Sequence, residues 1–151
     1  MGLKPTYVKA AFEYAYDELK KENVQDKVTL FYNDYDTYFS VDDELALISY
    51  INEGEDAKIC GGIGMQSHVD IKRPTLEEYG NALKAFINAG LEVQITELDI
   101  TINFDTDDTD GRTPTYAYKN EKETDVDQAA FTKDFIKQIV DIQKNRNKII
   151  S

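Results

Sequence analysis

The sequence is poor in several residue types, and each shortage excludes a class of protein. Its 151 residues contain one cysteine and no tryptophan. A single thiol, Cys60, cannot form an internal disulfide, and we expect it to be a small buried apolar side chain. No apolar run approaches the ~18 residues that a membrane helix needs. Within these residues the sequence therefore excludes both a disulfide-stapled scaffold and a helical membrane domain.

Positive charge is scarce as well. The chain has 17 Lys and Arg against 29 Asp and Glu, which gives a formal net charge of -12. Phosphate backbones and anionic lipids bind clusters of Lys and Arg. We therefore expect no nucleic acid and no membrane as partner, whereas a neutral partner such as a sugar polymer is electrostatically acceptable. The length and the 41% hydrophobic content fit one globular domain with a sizeable core.

Helical and extended patterns alternate along the chain. The predicted order is α-β-α-β-α-β-α, with helices over 7–20, 42–53, 75–90 and 127–145 and strands over 27–32, 59–65 and 91–100. This alternation predicts right-handed βαβ units and a parallel sheet. The spacing is 33 residues from Leu30 to Ile63 and 32 from Ile63 to Ile95. An eight-unit barrel averages about 31 residues per unit, so three barrel-sized units are predicted.

The last predicted strand, LEVQITELDI, places Glu97 where the strand gives way to a polar loop. In βα proteins reactive groups collect at the C-terminal ends of strands. Glu97 and Asp99 are two residues apart, as are Gln66 and His68, so each pair shares a face of its strand. Most strand-end carboxylates are structural, and so is a lone histidine on a strand. The residues by themselves leave the structural and the catalytic interpretation open.

Three segments, FYNDYDTY (31–38), GGIGMQSHVD (61–70) and GLEVQITELDI (90–100), resemble in order and spacing the family-10 glycoside hydrolases, chiefly endo-β-1,4-xylanases. The helix YVKAAFEYA resembles the helix that precedes them. The resemblance covers nearly the whole chain and is weakest over 103–124. It implies an α/β fold that is a partial (β/α)8 TIM barrel, running roughly from the fourth helix through the seventh helix. Residues 1–151 would then be a partial catalytic domain.

The resemblance also implies a role for individual residues. Glu97 matches the nucleophile of a retaining endo-1,4-β-xylanase, His68 the histidine bonded to it, and Asp99 the acid that supports both. The implied cleft contacts are Asn33, Tyr35 and Gln66. The implied partner is xylan or a xylo-oligosaccharide, with no metal and no cofactor, and the implied location is extracellular.

The chain departs from the family pattern in three places. The family's acid/base glutamate lies in a Trp-Asp-x-x-Asn-Glu motif, which this sequence does not contain, and the tryptophan of the eighth strand has no counterpart. Asp36 stands where the family usually has asparagine. Retaining hydrolysis needs two carboxyl groups ~5–5.5 Å apart. We expect the chain to carry the nucleophile but not the acid/base, with Asp34 and Asp70 as weak substitutes, and to require a complementary barrel segment.

Two other functions fit the same sequence. One is a non-catalytic carbohydrate-binding module that retains part of the cleft. The other is a self-associating barrel fragment, because three parallel strands leave open edges and would expose an apolar inner face. The acidic run over 105–111 resembles a calcium loop, but Thr106 and Ala117 stand where that pattern requires acids, so a solvated loop is predicted.

Overall fold

Seven elements alternate along the chain in the computed structural model, which describes residues 4–102 and 124–146. They are α1 (Thr6–Lys21), β1 (Phe31–Tyr35), α2 (Val41–Ile51), β2 (Gly62–Asp70), α3 (Leu76–Asn88), β3 (Glu92–Thr101) and α4 (Asp125–Lys144). The predicted α/β alternation is confirmed. The predicted polar loop lies almost entirely outside the described residues, and so does the run over 105–111. None of the helices in the described ranges is both long enough and apolar enough to cross a bilayer.

The three strands form one parallel sheet in the order β1-β2-β3. β2 is the central strand and pairs with both neighbours. Its Gln66 lies opposite Tyr35 of β1 and Glu97 of β3, so these three residues form a row across the sheet. The predicted parallel sheet is confirmed, and the C-terminal ends of the strands meet at one edge.

The predicted bounds of the first two strands were wrong. β1 begins at Phe31 and continues through Tyr35, and β2 runs from Gly62 to Asp70. The polar residues 33–35 have the composition of a loop, but each pairs with a residue of β2 over 64–66, and this pairing holds them extended. The candidate site residues of β1 and β2 therefore lie within strands and not on the loops that follow them.

The hydrophobic core lies between one face of the sheet and the helices. Its fully buried side chains include Ile63, Met65 and Val69 of β2, Tyr79 and Phe86 of α3, and Phe135 of α4. The Tyr79 ring lies 4.5 Å from the Phe135 ring, between centroids, and its hydroxyl lies 2.8 Å from Ser67 Oγ. This buried hydrogen bond satisfies the two polar atoms that α3 and β2 bring into the core. Cys60 is fully buried, as predicted.

The opposite face of the sheet, which we name the open face, carries polar side chains. It comprises Asn33 and Tyr35 of β1, Gln66 and His68 of β2, and Thr96, Glu97 and Asp99 of β3, of which all but Gln66 are exposed. The two glycines Gly62 and Gly64 occupy the middle of this face. Phe31 and Tyr35 of β1 add two aromatic rings to this face, but its other positions hold polar side chains and glycine. The expected apolar inner face is therefore wrong for the described part of the chain.

The start of α3 is a capping box, as the sequence predicts. Thr75 Oγ1 accepts a hydrogen bond from the Glu78 backbone N–H at 3.2 Å, and Glu78 Oε2 accepts one from the Thr75 backbone N–H at 2.8 Å. These two bonds satisfy backbone donors that the first turn of a helix leaves without an intrahelical partner. α3 in turn supplies six buried residues, so its first turn anchors a large part of the core.

We expect Thr75→Ala to lower the free energy of unfolding by about 1 kcal/mol, because it removes the side-chain oxygen of the N-cap. Urea denaturation followed by circular dichroism measures the change. Thr75→Ser is the matched control, since it keeps the hydroxyl and should stay close to wild type. An Ala variant as stable as the Ser variant would contradict the role of the cap.

Candidate active site

All six site residues predicted from the sequence lie on the open face, between the middle and the C-terminal end of each strand. Tyr35, Gln66 and Glu97 form one row across the sheet. His68 and Asp99 form the next row toward the strand ends. Asn33 lies two residues before Tyr35 on β1, on the same face. The parallel register therefore brings side chains from three separate segments to one surface.

His68 lies between two carboxylates. Its Nδ1 is 2.7 Å from Asp99 Oδ2, and its Nε2 is 3.2 Å from Glu97 Oε2. The side chains are exposed to similar extents, 45% for His68, 51% for Glu97 and 61% for Asp99. One imidazole ring thus joins the two acidic side chains of β3, and its shorter contact is with Asp99.

This geometry favours the protonated histidine. A neutral imidazole has one N–H, whereas the imidazolium has two and can donate to both carboxylates at once. The pKa of His68 is raised above its usual value, chiefly by the hydrogen bond with Asp99. Desolvation is the next largest effect and opposes the rise, and the negative charges of Asp99 and then Glu97 add to it. These contacts therefore extend to higher pH the range in which the ring is protonated and donates to both acids.

β3 contains a β-bulge next to Glu97. Met65 of β2 pairs with Ile95, but the following residue, Gln66, pairs with Glu97, so Thr96 is an extra residue without a partner on β2. A bulge shifts the alternation of side chains by one position. Thr96 and Glu97 consequently both lie on the open face.

The alternation of apolar residues along β3 records the same shift. Val93 and Ile95 line a cavity with residues of α3 and α4, and Ile100 packs against the core. The residues of β3 that face the helices are therefore odd-numbered before the bulge, at Val93 and Ile95. They are even-numbered after it, at Leu98 and Ile100. Sequence reasoning missed the bulge, although the step from Ile95 to Leu98 in an otherwise alternating strand was a visible signal.

Thr96, which sequence reasoning did not single out, is bonded to β1 across the central strand. Its Oγ1 donates a hydrogen bond to Asn33 Oδ1 at 2.6 Å. Gly64 lies between them on β2 and faces Asn33. A Cβ atom at Gly64 would overlap Asn33 Oδ1 and come within 3.0 Å of Thr96 Cγ2. The absence of a side chain at Gly64 leaves the space that this contact occupies.

Asp36 adopts the left-handed conformation, with φ of 53°. Aspartate and asparagine populate this region more than other non-glycine residues. The Tyr38 hydroxyl lies 3.0 Å from Asp36 Oδ1 and 3.0 Å from the backbone oxygen of His68, and it can donate to either. Tyr38 is a second residue that sequence reasoning missed, since it links the loop after β1 to the backbone of His68.

The two carboxylates considered as substitutes for an acid/base do not lie beside Glu97 on the open face. Asp34 alternates with Asn33 and Tyr35 on β1, so it points to the helix side, where Tyr32 Oη donates to its Oδ2 at 2.7 Å. Asp70 is 9% exposed at the end of β2, where its Oδ1 accepts from the Lys72 backbone N–H. Among the described residues, no group of three or more His, Cys, Asp or Glu has the geometry to hold a metal ion.

Comparison with known proteins gives one consistent family. The model of glycosyl hydrolase family 10 matches residues 1–150. Endo-1,4-beta-xylanase A of Butyrivibrio fibrisolvens is 52% identical over 101 residues, which are 67% of this chain and 24% of that protein. A GH10 endoxylanase from a sugarcane soil metagenome superposes with a TM-score of 0.66 at 26% identity, over 95% of this chain and 42% of that one.

A further solved structure adds a ligand complex. It is a mutant of TsXylA, the intracellular xylanase of Thermoanaerobacterium saccharolyticum, in complex with xylotriose, with a TM-score of 0.63 at 25% identity over 96% of this chain and 37% of that one. The chain thus spans about a quarter of its xylanase relative from Butyrivibrio fibrisolvens and less than half of these solved xylanases.

The raised pKa of His68 is directly testable, because the chain contains one histidine. We expect a ¹H–¹³C NMR titration of its ring to give a pKa above the ordinary ~6.5. Asp99→Asn should lower it more than Glu97→Gln, since the bond with Asp99 is the largest cause of the shift. Asp42→Asn, an exposed acid on α2, is the control and should leave it unchanged.

The raised pKa of His68 also predicts how the stability of the folded protein changes with pH. Because the folded pKa lies above the unfolded one, the contribution of His68 is fully present below the unfolded pKa of ~6.5 and is lost as the pH rises through the folded pKa. Urea denaturation measures this contribution when the wild type and Asp99→Asn are compared below pH ~6.5 and above the folded pKa of His68. A difference between the two that does not shrink with rising pH would contradict the assignment.

Proposed function

The chain belongs to glycosyl hydrolase family 10, and on that basis we propose that it supplies the nucleophile side of a retaining endo-1,4-β-xylanase active site, with Glu97 as the nucleophile. The observation that carries this proposal is the arrangement of Glu97, His68 and Asp99 at the C-terminal ends of neighbouring parallel strands. Reactive groups of βα barrels collect at that end. The cleft would be the open face.

Glu97 has the contacts that a carboxylate nucleophile requires. In retaining hydrolysis one carboxylate oxygen attacks the anomeric carbon while the glycosidic C–O bond breaks and an acid protonates the leaving oxygen. Water then attacks the anomeric carbon of the glycosyl-enzyme and gives a proton to the same acid/base group, which now acts as a base, and the carboxylate departs. His68 Nε2 lies 3.2 Å from Oε2 of Glu97. That bond orients the carboxylate and leaves Oε1 for the attack.

His68 and Asp99 act as positioning residues in this proposal. Asp99 accepts from His68 Nδ1 at 2.7 Å, which fixes the plane of the ring and keeps Nε2 directed at Glu97. When Glu97 loses its charge on forming the glycosyl-enzyme, the ring loses one partner and keeps the other.

We propose xylan or a xylo-oligosaccharide as the substrate, bound on the open face. The Asn33 and Gln66 amides offer donors and acceptors for sugar hydroxyl groups. Tyr35 is 64% exposed at the end of β1 and offers an aromatic ring face to a sugar ring. The related TsXylA mutant structure holds xylotriose, which is consistent with a ligand of this class.

We propose that the acid/base carboxyl group comes from outside these 151 residues. The motif that carries it in the family does not occur in the sequence. Asp34 points to the helix side and Asp70 is nearly buried, so neither lies across a substrate from Glu97. The order α-β-α-β-α-β-α then corresponds to the fourth helix through the seventh helix of a (β/α)8 barrel, and the complementary segment would complete the cleft.

A carbohydrate-binding module without catalysis is the second candidate, favoured by the exposed Tyr35 ring beside amide groups. It differs from the first in requiring no covalent step.

We also propose that the enzyme acts outside the cell, because xylan is a polymer that must be cut before its sugars can enter. The intracellular TsXylA indicates that relatives with the same fold also act inside cells, so fractionation of the source cells is the test.

The covalent step distinguishes the two candidates. In a chimera, the 101 residues of this chain that match the Butyrivibrio fibrisolvens xylanase replace the corresponding stretch of that enzyme. We expect the chimera to release reducing sugars from xylan, and Glu97→Gln to lower kcat on the order of 10³-fold or more, since an amide cannot serve as nucleophile. A 2-deoxy-2-fluoro-xylobioside with an activated leaving group should label the peptide that contains Glu97, as detected by mass spectrometry.

Glu77→Gln on α3 is the matched control, because it makes the same change on an exposed helix surface away from the open face. It should retain wild-type turnover. Labelling that persists in Glu97→Gln would assign the nucleophile to another residue. Binding of xylotriose without labelling or turnover would favour the binding module.

A further inference from the structure

We propose that Thr96 is a positioning residue, whose bond to Asn33 across Gly64 holds the β3 bulge and so fixes Glu97 against His68. The inference rests on the proposed function, in which Glu97 is the nucleophile and has to be held against His68. The contacts that carry it are nevertheless independent of the chemistry, because they lie in the strands themselves.

The bulge determines which face Glu97 occupies. In a regular strand, side chains alternate with a period of two, and Ile95 faces the helices. Without the extra residue, Glu97 would fall on the same side as Ile95. A shift of one residue moves a whole set of side chains to the other face. The bulge at Thr96 therefore keeps Glu97 on the open face while Leu98 and Ile100 return to the helix side.

A bulged residue lacks a partner on the neighbouring strand, so the bulge needs another contact to hold it. Thr96 obtains that contact from the far strand, where its Oγ1 donates to Asn33 Oδ1 at 2.6 Å. Neighbouring strands lie ~4.8 Å apart, so β1 and β3 are separated by roughly 10 Å at this point. The Asn33 and Thr96 side chains together cover this distance over the central strand.

The hydrogen bond between Thr96 and Asn33 requires a glycine at position 64. It pairs with Asn33 of β1, and a Cβ atom there would overlap Asn33 Oδ1 and press on Thr96 Cγ2. Any other residue would displace Asn33 from the position in which it accepts the Thr96 hydrogen bond. Asn33, implied by the family resemblance as a cleft contact, thus has a second role, because its Oδ1 holds the bulge while its Nδ2 remains available to a ligand.

The single histidine reports the position of Glu97, because Glu97 is one of the groups that raise the pKa of His68. The test is the NMR titration of His68 in the 151-residue chain. Thr96→Val keeps the shape and removes the hydroxyl, and we expect it to lower the His68 pKa toward its ordinary value. Gly64→Ala should act in the same direction. Thr96→Ser keeps the hydroxyl and should restore the wild-type value.

A double-mutant comparison separates positioning from a general loss of structure. In the wild type, Glu97→Gln should lower the His68 pKa, whereas in the Thr96→Val background it should have little further effect, because Glu97 has already left His68. Thr101→Val, at the exposed end of the same strand, is the control and should leave the titration unchanged. Amide chemical-shift dispersion verifies that each variant is folded.

An unchanged His68 pKa in folded Thr96→Val would overturn the proposal, and so would a full effect of Glu97→Gln in that background. If Thr96→Val does not fold, Asn33→Ala removes the acceptor without altering β3, and the same titration decides. In the xylanase chimera, Thr96→Val should lower kcat by roughly 10- to 100-fold, the cost of a small misplacement, with KM little changed. Covalent labelling tests Glu97 as nucleophile separately, so failure of one proposal is distinguishable from failure of the other.

Discussion

The pairing of β2 with both of its neighbours is the constraint on which the open face depends. β2 is the only described strand with two partners, and each partner contributes side chains to the same rows. Its helix-facing positions are filled by Ile63, Met65 and Val69, which are buried against the helices. Because these residues are buried in the core, the residues that alternate with them along β2 lie on the open face. The residues of β1 and β3 that pair with those positions lie on the same face.

The electrostatics of the open face follow from one imidazole ring placed between two carboxylates. The His68 ring has a carboxylate at each nitrogen. All three side chains are about half exposed, so water screens their interaction in this chain. A substrate or a complementary barrel segment that covered the face would remove this water and strengthen the same contacts. The contacts therefore become stronger when the open face is covered.

The sequence predicts much of this structure, for identifiable reasons. The capping box of α3 is local, since Thr75 and Glu78 are three residues apart in the first turn, and the alternation of helices and strands follows from periodicity. The shared faces of Gln66 with His68 and of Glu97 with Asp99 follow from the period of a strand. The extent of β1 could not be predicted locally, because residues 33–35 are polar and become strand only by pairing with β2. Thr96 was missed for a similar reason, since its partner is 63 residues away.

The order of the strands in the sheet also bears on how the chain assembles. β1 pairs with β2 and β2 with β3, so each strand docks on the one made just before it, and the sheet can grow in the direction of synthesis. Each pairing nevertheless closes a crossover of roughly 30 residues, which is slow compared with helix formation. The bond between Asn33 and Thr96 joins the first strand to the third and requires the second to be in place beneath it. The open face is therefore among the last parts of this sheet to acquire its native geometry, and the helices can form before the carboxylate of Glu97 meets its histidine.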